Sequence, residues 1–68
     1  MDRNALQFRL QRAEELVQRV EDNIAFQQQM IAKLEQGGHD VRAARLFLRR
    51  LKALHAKLVG ERDQANRS

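Results

Sequence analysis

The chain has 68 residues, thirteen of them Lys or Arg and nine Asp or Glu, for a formal net charge of +4. That length bounds it to one domain, and so small a core needs help from a disulfide, a metal or a partner chain. Cysteine is absent, which excludes disulfides and thiolate zinc sites and leaves the redox compartment unread.

The opening residues, Met1 to Asn4, are polar, and no apolar run reaches membrane-spanning length. Neither a secretory signal nor a membrane anchor is expected, and the cytoplasm is the default location. A helix is predicted over about 4–36. Asp2 or Asn4 suits its cap, and Asn4 with Gln7 has capping-box spacing. Leu6, Leu10, Ala13, Val17, Val20, Ile24, Gln27, Ile31 and Leu34 alternate spacings of four and three, which puts them on one seam. Leu16 and Met30 widen that stripe. Gln27 is its one polar member, either an amide bonded to a neighbour or water, or a residue that sets register and oligomer state.

Gly37-Gly38 breaks the pattern, and no other glycine precedes Gly60. The spacing predicts a turn over 37–40, with Gly37 in the left-handed conformation that ends a helix and Asp40 as the next N-cap. A second helix is predicted over about 41–64, with a frayed tail at 66–68. Its apolar face is Ala44, Phe47, Leu48, Leu51, Leu54, His55, Leu58 and Ala65. A short connection makes the helices antiparallel neighbours. The expected fold class is therefore all-α, a single antiparallel two-helix hairpin.

Pairing Gln36 with Asp40 and counting back, the second helix ends near residue 10. Leu6 and Phe8 then overhang without an intrachain partner. Phe8 and Phe26 are eighteen residues apart, so they share a face off the main seam and mark a second contact surface. Two helices touch along one line and leave about half of each stripe wet. Burying a large apolar side chain contributes roughly 1.5–3 kcal/mol, against about 1.5 kcal/mol of ordering entropy per residue. A lone hairpin is thus expected near zero net stability, and two hairpins joined as a homodimeric four-helix bundle are expected to cover both stripes. The core and oligomer interface would be Leu6, Leu10, Val17, Val20, Ile24, Gln27, Ile31, Leu34, Phe47, Leu48, Leu51, Leu54 and Leu58.

Chemistry is sparse. The one serine is Ser68, threonine is absent, and neither an HExxH spacing nor a phosphate loop occurs. Glu14-Glu15 and Glu21-Asp22 are adjacent on a helix and point apart, so they make no facing carboxylate site. No catalytic residue, cofactor or metal site is expected, although Glu35, His39 and Asp40 lie close enough in sequence to weigh as a metal cluster. His39 reads as a turn histidine bonding a helix-end carbonyl, and His55 as a satisfied polar group beside Glu21. The charge is uneven, about −1 over 1–39 and +5 over 40–68, counted from the sequence. Arg42, Arg45, Arg49 and Lys52 form a basic stripe on an outer face of the second helix, with Arg50 and Lys57 beside it. Such a stripe suits phosphate contacts, yet no aromatic is interleaved for base stacking. Membrane-surface binding is not expected, since a protein partner is available for the apolar face.

The run Ala13-Glu14-Glu15, Ile24, Gln27, Ile31, Leu34-Glu35, Gly38-His39-Asp40, Ala44, Leu51, Leu54-His55 and Arg62-Asp63 resembles a group of short, uncharacterised helical proteins of alphaproteobacteria. They carry a similar Leu-Glu…Gly-His-Asp turn and a later Leu-His…Arg-Asp. The resemblance covers about two-thirds of the chain, is specific at the turn, and implies the hairpin without an activity. Members often have threonine where Val41 stands, which leaves the capping to Asp40. In length and topology the chain is also similar to the Rop-type hairpin dimer, a four-helix bundle that binds paired RNA loops. Two functions follow as expectations: a non-enzymatic, homo-oligomeric interaction module, or a nucleic-acid-binding dimer using the basic stripe.

Overall fold

The computed structural model describes residues 3–67. It holds two helices, α1 (Arg3–Gln36) and α2 (Arg42–Arg67), and no strand among the described residues. Their side-chain contacts run in opposite chain order, Glu35 with Arg45 and Glu21 with His55, so the helices are antiparallel. Asn4 stands inside the first turn of α1 rather than at its cap, and the other proposed cap, Asp2, lies outside the described residues. α2 continues past 64 because Ala65, Asn66 and Arg67 include no breaker. Asn66 and Arg67 of the expected frayed tail are helical in the structure, and Ser68 lies outside the described residues.

The turn closes on hydrogen bonds. His39 N–H donates to the Leu34 carbonyl at 2.9 Å and Gly38 N–H to the Glu35 carbonyl at 3.0 Å. This six-to-one and five-to-two pair is a Schellman ending, which requires a left-handed residue one past the cap. That residue is Gly38, with φ of 76°, and not Gly37 as the sequence suggested. Gly37 serves differently. A Cβ there would come within 2.9 Å of His39 Cδ2, so the imidazole packs over it. His39 thus caps a helix-end carbonyl with its backbone amide, not with its ring.

α2 begins with a related device. The Val41 carbonyl accepts the Arg45 amide at 2.8 Å, which makes Val41 the capping residue by backbone. Asp40 Oδ1 accepts the Arg42 amide at 3.0 Å and so caps from one position earlier. The Arg42 guanidinium folds onto the same carboxylate, with Nη2 donating to Oδ2 at 2.8 Å and Nε to both oxygens at 3.1 Å. These side-chain bonds, then the amide, hold the Asp40 carboxyl below its ordinary value, and Asp40 in turn raises that of Arg42. Threonine at 41 would cap through its side chain. Here Val41 is buried, with Val17, Ile31 and Leu51, and turns the end of the hairpin into core.

The nine α1 residues with the four-three spacing all face α2, and they are the ones in α1 that are buried or half-buried. On α2 the seam is Val41, Ala44, Leu48, Leu51, His55, Leu58, Arg62 and Ala65, a strict three-four alternation. It differs from the expected face. Phe47 and Leu54 are 46% and 42% exposed, and Leu16 and Met30 also lie outside the seam. Arg62 takes a seam position instead, where a long aliphatic stem covers apolar surface while its guanidinium reaches Asp63. Val59 is half-buried beside the seam. Leu6 is half-buried too, and Phe8 lies in a furrow with Leu58 and Ala65. The overhang is therefore shorter than the residue count suggested, because α2 runs on to Arg67.

Candidate interaction surface

A helix in three-four register with a partner presents two flanks, one on each side of the seam. One flank carries Glu21, Gln28 and Glu35 on α1, seven residues apart, and Arg45, Lys52 and Val59 on α2. Opposite charges meet there. Arg45 Nη2 lies 2.8 Å from Glu35 Oε2, and His55 Nε2 lies 3.0 Å from Glu21 Oε2. Gln28, Ile31, Leu48, Arg49 and Lys52 line an open groove between those pairs. The four residues of the expected basic stripe are all exposed, and two of them have acidic neighbours. Arg42 is held by Asp40 and Arg45 by Glu35, while Arg49 and Lys52 border the groove.

The other flank is different in kind. α1 presents Leu16, Asn23 and Met30, and α2 presents Phe47, Leu54 and Glu61, each set at seven-residue spacing. Leu16 and Glu61 line one furrow with Arg9 and Arg12, which places the two sets side by side. Leu16, Met30, Phe47 and Leu54 are all exposed, and Phe26 is 56% exposed at the outer edge of the same flank. Phe8 is 65% exposed at its open end. Phe8 and Phe26 therefore sit off the seam. Leu46, which the sequence reading did not single out, is exposed on the back of α2.

The hairpin is a rod, 54 × 14 × 12 Å, with a radius of gyration of 15.9 Å. A compact domain of this length has a radius near 11 Å. Its accessible surface is 5634 Å², where a compact chain of its mass exposes about 4,450 Å². The excess is of the order of the roughly 800 Å² that each partner buries in a standard interface.

Among the described residues no three His, Asp or Glu side chains come together as a metal site. Glu35 and Asp40, weighed for that role, are turned to Arg45 and Arg42 instead. No helix among the described residues is long and apolar enough to cross a membrane. Comparison with protein-family models, with curated proteins and with solved structures finds no match. The functional reading therefore rests on the side chains themselves.

Proposed function

We propose that the protein works in the cytoplasm as a non-enzymatic interaction module that completes its core by docking further helices on the flank of Leu16, Met30, Phe47 and Leu54. The observation that carries this reading is the clustering of these four, with Phe26, on one side of the rod while the opposite side is laced by cross-helix ion pairs. An exposed apolar patch rimmed by polar groups marks an interaction site. The simplest occupant is a second copy. Two hairpins joined flank to flank make a four-helix bundle, and the surface in excess of a compact chain is large enough to supply such an interface.

Light scattering on the wild type and on Phe47→Glu tests the reading. A dimer that becomes a helical monomer on substitution is the expected result. A dimer that survives Phe47→Glu would remove the flank from the interface. The nucleic-acid alternative rests on Arg42, Arg45, Arg49 and Lys52, of which Arg42 and Arg45 would have to exchange exposed ion pairs for phosphate, and a duplex added at low salt addresses it in the same experiment.

A further inference from the structure

The apolar flank is bordered by charge of one sign. Arg9 lies on it, and Arg12, Arg19 and Lys33 follow its outer edge on α1 at seven-residue or fourteen-residue steps with Phe26 between. On α2 the corresponding edge carries Arg50 and Lys57, seven residues apart. Against these six cations stands one acid, Glu61, with Arg9 in the same furrow. The acids of α1 lie off the flank: Glu14 shares the seven-residue row of Glu21 and Glu35, which pair on the opposite side. Glu15 shares the outer row of Asp22, and Gln18 holds Asp22 on that surface at 3.0 Å.

A second copy brings the same six cations and only its own Glu61 to meet them. Laid together, two such flanks set six cations and one acid against the same six cations and one acid, so the rim pairs mostly like with like. The area argument favours a dimer and the electrostatic argument weakens it, most of all at low salt. A partner with the opposite rim is free of that conflict.

We propose that an acidic amphipathic helix of another protein competes with the second copy for this flank. The proposal rests on the reading of the protein as an interaction module and names the chemistry of its partner. The flank fits a helix in a specific way. Leu16, Asn23 and Met30 on one side, and Phe47, Leu54 and Glu61 on the other, repeat every seven residues, an advance of about 10.5 Å. A third helix with apolar residues in the same repeat seats them in the furrow between the two rows. Its acidic side chains then fall against Arg12, Arg19, Arg50 and Lys57. A lipid surface has no such repeat to match, and a nucleic acid has no apolar stripe to place in the furrow.

The test uses the full chain and three labelled synthetic peptides of about 21 residues. One has leucine at the two apolar heptad positions and glutamate beside them. The second has lysine for every glutamate. The third is a shuffle of the first with no helical period. Binding is read by fluorescence anisotropy and the mass of the complex by light scattering.

Expected are one-to-one binding of the first peptide alone and conversion of the dimer to that complex. Binding should weaken about tenfold or more between low and high salt, while self-association strengthens. Arg50→Glu with Lys57→Glu should weaken the peptide and strengthen the dimer, and their exposure leaves the hairpin folded. Equal binding of the lysine peptide or of the shuffled one would overturn the proposal, as would an unchanged dimer at saturating acidic peptide. A duplex or an anionic phosphatidylserine vesicle that displaces the first peptide from the flank would overturn it too. A monomer that binds the acidic peptide would keep this inference and remove the self-pairing. A monomer that binds none would remove both it and the interaction reading.

Discussion

The two flanks of the hairpin are built from the same helices, yet they solve opposite problems. On one, α1 supplies acids at seven-residue spacing and α2 supplies cations, so the side chains answer each other across the seam. On the other, α1 and α2 both present apolar residues with cations at their edges, and Glu61 is the one acid set among them. The difference teaches that net charge is a poor guide to a helical surface. The chain is basic overall, but Arg42 and Arg45 near the turn have acidic neighbours, Arg49 and Lys52 border the groove, and six further cations edge the side where the sequence places phenylalanine and leucine.

The sharpest way to break the comparison is to move between seam and flank with the same substitution. Leu51 is buried and Leu54, three residues on, is exposed. Leu51→Ala is expected to cost about 2–5 kcal/mol, enough to abolish cooperative unfolding in a core this small. Leu54→Ala should leave the circular-dichroism melt of the monomer within about 0.5 kcal/mol of wild type. Equal losses at the two positions would erase the distinction between seam and flank.

Next in size is the turn that sets the register of both flanks. Gly38→Ala forces a Cβ into the left-handed region and should cost about 1–2 kcal/mol in a urea titration. Gly37→Ala has only the movable imidazole of His39 to displace and should cost less. The reverse order would show that the Schellman ending is not what holds the turn.

A smaller effect concerns acid. Asp40 has its folded-state carboxyl lowered by Arg42, so the stability it contributes is present above the ordinary value of 3.8 and lost as pH falls through the lowered one. The melting temperature of Asp40→Ala should therefore fall less steeply than that of wild type on acidification through this range. Parallel slopes would detach the carboxylate from the cap. The least is expected of the laced flank itself. Glu35 and Arg45 are both about half exposed, and Arg45→Gln should shift stability by no more than about 1 kcal/mol. A larger loss would mean that this flank holds the hairpin together.

The α1 seam is plain in the sequence because eight apolar residues and Gln27 keep one four-three period, while Leu16, Phe26 and Met30 beside it break that period. α2 is harder. Phe47 and Leu54 sit one position before Leu48 and His55, and they draw the eye to a face shifted toward the flank. The true seam keeps its alternation through His55 and Arg62, polar residues that hydropathy passes over, and it begins at Val41, which looks like part of the loop. Extending the strict three-four count backwards from Leu51 finds Val41. The two glycines are equivalent in sequence, and only the hydrogen bonds of Gly38 and His39 tell them apart. What covers the apolar flank is legible only as chemistry, since complementarity constrains a partner's charge and period but not its identity.

The seam thins away from the turn. Beyond Val17, the most buried of the four buried residues, it consists of Ala13, Leu10 and Leu6 against Arg62 and Ala65, all no more than half-buried. The molecule therefore keeps time unevenly along its length. Backbone amides near Ile31 and Leu51 should exchange with deuterium only when the whole hairpin opens, while those of residues 7–12 and 62–67 exchange through fraying of the free end. A partner that docks along the flank would reset that clock from the open end inward, and the rate at the tips would report its arrival before any change at the turn.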